Sequence, residues 1–565
     1  MAEFDTVIKG GTIIDGMRTP RYVGDVGIRD GRVAAIGGIR PSDGAQVIDA
    51  AGLNVAPGFV DLHTHYDSQL YWDPWCTISG WHGVTSVGIG NCGFGFAPCK
   101  PEDQYRSMLT MTRNEAVPLE SMQEGMPWDW ETFPEFLDSV ERTDKGVNIV
   151  SYMPLNPLLA YVMGLDAAKS RSATDAEMAE MKRLMFEALD AGACGWSAQL
   201  TPVDVEVQLD HDGTPMITNL MSEKDLRSFA RVLREAGRGL IQCIGSGKEL
   251  TEMLAAESGR PILWNVLAIF ADQHGNSAGA GFEDNLAWLD DANARGLRIY
   301  AQSLTVENDH QFTLEDWNLF DIVPAWRDAL MGDVEQRTAN LRDPEMRQRI
   351  RDSHDQRMLP HDMIEDLRVG IIHKESLADI EGFTVGEIAE KRRCHPIDAM
   401  LDVALEDDLR ALFITPPRPA NPETMSQLLH CPVGLPGVSD GGAHTKFLTH
   451  ARYPTEYLAR HVRDDGLMSL EEAHWRLSAY PAMAAGIKDR GWIREGAPAD
   501  IVIYDMETLA VGESERAWDY PAGAWRLVQK PRGYRHILVN GEVTHTNGVC
   551  TGATPGHLLR HGRAG

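Results

Sequence analysis

Two histidines two positions apart, His63 and His65, close the apolar run Pro57-Gly58-Phe59-Val60-Asp61-Leu62. In an extended segment alternate side chains share a face, so both imidazoles address one space and can hold a zinc-like ion between them. Two ordinary core or surface histidines would give the same pattern. Cys92 follows the apolar strand Thr85-Ser86-Val87-Gly88-Ile89. A thiolate is a strong zinc ligand and a cation makes it by lowering the thiol pKa, whereas a lone cysteine is by default buried and inert. Asp440 stands in Gly437-Val438-Ser439-Asp440-Gly441-Gly442, which reads as a plain turn or as a carboxylate presented at a strand end. His444, four residues on, either orients a substrate or is a loop histidine. Two nucleotide-like patterns fail. The G-x-G-x-x-G at 88–93 meets Pro98 where a helix should continue, and Gln242 and Glu249 occupy the wrong positions for a phosphate loop around Gly245-Ser246-Gly247-Lys248.

These residues need a frame, and the middle of the chain supplies one. Four consecutive units run helix, glycine, strand. The helix from Thr174 opens on the capping box Thr174-Asp175-Ala176-Glu177 and stops at Gly192 before Ala193-Cys194-Gly195-Trp196. The next three stop at Gly237, Gly259 and Gly296, each followed by a short apolar strand. Repeated helix–strand units imply a parallel sheet, and this many in a row favour a (β/α)8 barrel, whose chemistry sits at the C-terminal strand ends. Residues 303–372 break the rhythm with an Arg- and Asp-rich helical stretch, expected to be an insertion serving as a lid or as surface decoration. Residues 1–57 and 486–548 are rich in short strands with hairpin turns at Asp30-Gly31 and Asn540-Gly541, so both termini are expected to close one small β-sandwich around a barrel spanning 58–485. Residues 549–565 read as a tail.

The 565 residues carry 83 Asp and Glu against 53 Lys and Arg, a net charge of −30 that repels phosphate backbones and anionic membranes. Nucleic-acid and membrane partners are therefore not expected; a small-molecule substrate and a homo-oligomer are. No run approaches the roughly 20 apolar residues of a membrane span. The eight cysteines are scattered without a C-x-x-C pair, and the amino terminus has no basic-then-apolar leader, so reduced thiols and a cytoplasmic location are expected.

Four segments together resemble the amidohydrolase superfamily, and within it the D-aminoacylase (N-acyl-D-amino-acid deacylase) branch. They are PGFVDLHTHYD at 57–67, GVTSVGIGNCGFGFAP at 83–98, VSDGGAH at 438–444 and PAMAAGIKDRGWIREGAPADIVIYD at 481–505. The first and third are widespread among amidohydrolases; Gly90-Asn91-Cys92-Gly93 is specific to this branch. The resemblance implies the same barrel with a terminal β-sandwich. It also implies that Cys92 is a metal ligand beside His63 and His65, and that Asp440 both touches the metal and takes the proton from the attacking water.

The chain departs from that branch on the fifth and sixth strands, where the branch supplies two more histidines. Gln242 or Cys243 stands near the first position and Asn265 near the second, and amides are poor zinc ligands. One divalent transition metal, zinc, on His63, His65, Cys92 and Asp440 is the expected set; His211, His274, His310 and His373 lie in polar loop-like stretches. Gln242, Asn265 and His444 are the candidate substrate contacts. The lysine that in the branch follows the second histidine and holds a substrate carboxylate has no counterpart in Trp264-Asn265-Val266-Leu267, which points to a less anionic substrate. The expected activity is hydrolysis of a linear or cyclic, N-acyl amino-acid-like amide by metal-activated water, with lactone opening or non-oxidative decarboxylation as the alternative chemistry. A non-catalytic scaffold is the third reading, and the retained ligand set speaks against it.

Overall fold

In the computed structural model, residues 2–202, 209–269, 281–307, 310–316, 323–355 and 364–562 are described; His274 lies outside them. The helix that opens at Thr174 runs Asp175–Ala191, and its capping box is complete: Thr174 accepts from the Glu177 amide while the Glu177 side chain accepts from Thr174 N. Helices Glu223–Ala236 and Lys248–Ser258 end on Gly237 and Gly259 in the left-handed conformation, at φ 66° and 61°. Each stop turns the chain into a barrel strand.

Eight parallel strands result: Phe59–Asp61, Val84–Ile89, Asn148–Ser151 with Met153–Pro154, Gly195–Gln199, Leu240–Ile244, Ile262–Leu267, Ile299–Ser303 and Gly434–Pro436. Pairing runs in chain order from the first to the eighth. A parallel bridge between Thr64 and Gly441 joins the last strand's extension to that of the first, and closes the ring. Buried on both faces, these strands show no in–out alternation of burial.

Strands Phe4–Ile13, Tyr22–Arg29, Arg32–Gly37, Gly44–Asp49 and Asn54–Pro57 share one nine-stranded sheet with Ile501–Tyr504, Tyr534–Val539, Glu542–Thr546 and Val549–Cys550. The two termini meet where Ile501–Tyr504 pairs antiparallel with Asn54–Pro57. Both expected hairpin turns have positive φ at both central residues, at Asp30-Gly31 and at Asn540-Gly541. A separate hairpin, Ala510–Ala517 with Arg526–Arg532, leaves this sheet and reaches the barrel mouth, where Leu527 N donates to Thr445 O at 2.6 Å.

Between the seventh and eighth strands the chain builds a second apolar core around Trp326, Ile350, Met400 and Phe413. That core draws on helices Pro324–Leu330, Val334–Arg342 and Pro344–Asp355, and also on Val385–Arg392 and Pro396–Glu406. The excursion therefore extends beyond the 303–372 expected from composition, because its apolar helix Pro396–Glu406 reads like a barrel helix in one dimension. The carboxyl-terminal segment also departs from the tail expected for 549–565. Ile149 N donates to His557 O at 2.9 Å, Gly556 N to Lys145 O at 2.7 Å, Leu559 N to Ile149 O at 2.7 Å and His561 N to Gly192 O at 2.9 Å. These bonds make it a strap along the third barrel strand. Among the described residues no helix is long and apolar enough to cross a membrane.

Deleting residues 554–565 removes those four backbone bonds and should cost roughly 2–6 kcal/mol of stability at about 0.5–1.5 kcal/mol each. Calorimetric melting of the truncated and full chains tests this; coincident transitions would show that the strap contributes nothing.

Candidate metal centre

His63 and His65 lie just past the end of the first strand, where the extended backbone turns both rings into the barrel mouth, 5.5 Å apart between centroids. Both are almost wholly buried. Their loop is stitched to the second and eighth strands. Thr64 Oγ1 donates to Gly88 O at 2.8 Å, Asn91 Nδ2 donates to Thr64 O at 2.9 Å, and His65 N donates to Gly441 O at 2.7 Å. Asn91 thus holds the turn that carries Cys92 against the histidine loop. Tightness at the other side explains the glycines: a Cβ on Gly442 would lie 2.7 Å from His65 O, and one on Gly441 2.6 Å from the Tyr66 hydroxyl. Cys92, Asp440 and His444 all sit at left-handed backbone angles, with φ 57°, 48° and 50°. For side chains with a Cβ that conformation costs energy, and such strain collects where function demands a particular aim.

The expected ligand atoms converge. Cys92 Sγ lies 3.4 Å from His63 Nε2, and one nitrogen of each histidine and the sulfur lie within 4.8 Å of one another. Asp440 Oδ1 stands 3.2 Å from His63 Nε2 and 3.8 Å from His65 Nε2. His63 Nδ1 is 3.3 Å from Gln302 Oε1 on the seventh strand and also touches the Asn265 amide. A proton on Nδ1 shared with Gln302 leaves the Nε2 lone pair for a cation, the usual way a supporting group sets a ligand histidine's tautomer. Gln242 accepts from Cys92 N at 2.7 Å and donates to Asn265 Oδ1 at 3.3 Å. The two amides read from sequence as substrate contacts are therefore both bonded to candidate ligand residues. His444 faces another residue altogether, Glu115, with His444 Nε2 3.5 Å from Glu115 Oε2.

Electrostatically the groups compete. Burial alone would depress the His63 imidazole, yet the Cys92 thiol and the Asp440 carboxylate hold its pKa well above the ordinary value. Burial and the charge on His63 push His65 down to about 3. Burial raises the Cys92 thiol, with His63 opposing. For Asp440, burial is outweighed by His63, His444 and His65, which lower its pKa. Beneath the rings the buried Asp61 accepts from His63 N at 3.1 Å and is pushed up to about 7, mainly by burial. A divalent cation resolves this competition, since it favours the thiolate, the carboxylate and neutral imidazoles together. The donor set of two imidazoles, one thiol and one carboxylate fits zinc.

A model of the amidohydrolase family matches residues 46–545. The chain belongs to the amidohydrolase family. It is accordingly a metal-dependent hydrolase acting on carbon–nitrogen bonds other than peptide bonds. Relatives extend over the whole chain. N-acyl-D-glutamate deacylase of Alcaligenes xylosoxydans xylosoxydans is 27% identical, over 99% of this chain and 97% of its own. D-aminoacylase of the same organism is 25% identical, over 98% and 97%. Among solved structures, N-acyl-D-glutamate deacylase from Bordetella bronchiseptica, complexed with zinc and a phosphonate inhibitor, superposes with a TM-score of 0.67 at 22% identity, covering 99% of this chain and 100% of that one. That likeness shows the amidohydrolase α/β barrel fold, as the strand order here does.

Sequence reasoning missed Asp61 and Gln302, which hold His63, and it missed Glu115. Glu115, the last residue of helix Gln104–Glu115, reaches His65 Nε2 at 3.8 Å and is 1% exposed. It lies in no motif, and only the fold brings it here.

Because Gln302 Oε1 accepts the Nδ1 proton that leaves His63 Nε2 for a cation, Gln302→Ala should weaken metal binding by about 10–100-fold, the usual cost of losing a ligand's supporting bond. Competition against a chromophoric chelator measures it, and an unchanged affinity would deny Gln302 this role.

Proposed function

We propose that the centre holds one divalent transition metal, zinc, on His63, His65, Cys92 and Asp440, and hydrolyses a linear or cyclic amide less anionic than an N-acyl-D-amino acid. The observation that carries this reading is the convergence of two Nε2 atoms, one Sγ and one carboxylate oxygen at the C-terminal end of a closed barrel. When bound, such an ion polarises the scissile carbonyl and acidifies the attacking water. The chain's own residues do the rest. Asp440, its carboxylate kept ionised by the surrounding imidazoles, takes the proton from the water and returns it to the leaving nitrogen. His63 is held by Asp61, Gln302 and Asn265, so the face it presents does not turn during the cycle. Gln242 fixes Cys92 through its backbone amide. The barrel mouth is walled by the excursion between the seventh and eighth strands and by the hairpin anchored at Thr445, which limit water.

The substrate reading rests on the sixth strand. At Asn265 the side chain is spent on His63 and Gln242, and no lysine follows it in Asn265-Val266-Leu267 to meet a carboxylate. An anionic substrate would face Asp440 and Glu115 across a buried space, which costs several kcal/mol on a rough scale. Lactone opening would use the same groups, with Asp440 returning its proton to an alkoxide. We further propose that the nine-stranded terminal sheet curls over the core formed by Ile8, Val26, Ile48, Ile501 and Leu538 as a sandwich-like satellite.

Elemental analysis should give close to one equivalent of metal, and His63→Ala or His65→Ala should each lose it; two equivalents at full occupancy would overturn the single-ion set. On N-acetyl-D-glutamate or N-acetyl-D-methionine, kcat/KM should stay below about 10⁴ M⁻¹s⁻¹, the low end for a working enzyme. Product analysis on a panel of neutral linear and cyclic amides and lactones identifies the bond. Asp440→Asn should fold, retain part of its metal and lose about 10²–10⁴-fold in kcat. A near-normal rate in the metal-loaded variant would remove Asp440 from proton transfer.

A further inference from the structure

Glu115 carries the most unfavourable charge placement in the site. Its side chain is 1% exposed, and neither carboxylate oxygen has a hydrogen-bond partner among the described residues. Buried polar groups in folded proteins are almost always satisfied, and a buried carboxylate without partner or counter-charge is among the costliest arrangements a fold can carry. The position on its element compounds the cost. Glu115 is the final residue of helix Gln104–Glu115, where the aligned peptide dipoles present their negative end, and Ala116 follows at φ 52°. A carboxylate is the wrong sign there unless a cation faces it. The basic side chain of that last turn, Arg113, is directed elsewhere, to His211 O at 3.4 Å and Met331 Sδ at 2.9 Å.

What Oε2 does face is metal-ligand chemistry: His65 Nε2 at 3.8 Å and His444 Nε2 at 3.5 Å. His65 Nε2 is the same nitrogen that stands 3.8 Å from Asp440 Oδ1. Two ligands of one ion, each about 2.1 Å from it, can be no more than about 4.2 Å apart. Taken pairwise, the His65–Glu115, His63–Cys92 and His65–Asp440 separations each meet that limit; the three residues whose ligand atoms all lie within 4.8 Å of one another are His63, His65 and Cys92, and Glu115 stands at the edge of that cluster. The backbone fixes the approach as well, since His444 N donates to Glu115 O at 2.5 Å and so ties the helix end to the loop that carries Asp440.

We propose that Glu115 is a further protein ligand of the metal centre, binding from the His65 side, with His444 orienting its carboxylate. This rests on the metal set proposed above and extends it to a residue outside every motif. Glu115 supplies an anionic donor that Gln242 and Asn265 cannot, and the ion supplies the counter-charge that the buried helix end lacks.

Cobalt is the probe, because Cys92 gives an internal signal. Full-length protein is stripped with chelator and titrated with Co²⁺, following the thiolate-to-cobalt absorption band and the weaker d–d bands. Wild type should show both. Glu115→Gln should keep the thiolate band, change the d–d bands, and bind cobalt about 10–100-fold more weakly, the loss typical of removing a group that supports a metal site. Melting supplies an independent readout. Metal-free Glu115→Gln should melt higher than metal-free wild type, because an unpaired buried carboxylate is gone, and its gain on adding metal should be smaller. Equal cobalt affinity with identical d–d bands, or an equal metal-induced rise in melting temperature, overturns the role of Glu115. Should Glu115→Gln fail to fold, Glu115→Asp retains the charge but shortens the reach, and an unchanged d–d spectrum in it overturns the proposal likewise. Absence of the thiolate band in wild type would instead refute the metal set itself, and Glu115 with it.

Discussion

Everything at the mouth of this barrel depends on one backbone contact, the parallel bridge between Thr64 and Gly441 with the 2.7 Å bond from His65 N to Gly441 O. It joins the first strand's extension to the loop after the eighth, residues 376 apart between Thr64 Oγ1's neighbour His63 and Ser439, which bond directly through Ser439 Oγ and His63 O. Closure sets Asp440 against both imidazoles. It also leaves no room for side chains on Gly441 or Gly442, which pack on Tyr66 and His65. A substitution there would move the carboxylate and the histidines together, because the bond from His65 N to Gly441 O ties the two loops to each other.

Closure has an electrostatic consequence. Asp61, Asp67, Glu115 and Asp440 are gathered in and around one buried volume with His63, His65 and His444. Burial raises the pKa of the first three, whereas Asp440 is held low by its imidazole neighbours. The site is thus built to accept positive charge. A bound cation offsets repulsion among the acids and lets a thiol, which burial alone would keep protonated, act as a ligand. The proposed preference for a less anionic substrate rests on the same acidity and on the amides of the fifth and sixth strands. Strain at Cys92, Asp440 and His444 belongs to the same balance, since each left-handed turn aims a side chain that a relaxed backbone would point elsewhere.

Support for the ligands is spread over the barrel. His63 is braced from the sixth and seventh strands by Asn265 and Gln302, and Cys92 from the fifth by Gln242. Residues that alignment to a family would count as missing histidines here serve as braces. The C-terminal part of the chain takes part too, because the hairpin Ala510–Ala517 with Arg526–Arg532 reaches Thr445, beside His444.

By itself the sequence determined the local elements and the ligand candidates. Capping residues at Thr174, glycine stops at Gly237 and Gly259, positive-φ hairpin turns and the H-x-H spacing are all short-range patterns, and each depends on neighbours a few residues away. Only the tertiary structure decided which groups meet. Nothing around Gln242 or Asn265 in the chain reveals that one braces Cys92 and the other His63. The end of the excursion and the docking of residues 556–561 were hidden too, since a helix of the second core has the same apolar pattern as a barrel helix, and a strap needs only backbone bonds. Glu115 is the clearest case. In one dimension it is a glutamate at the end of a polar helix; its unpaired burial beside His65 and His444 exists only because the barrel closes, and desolvation is a property of the assembled volume rather than of any segment.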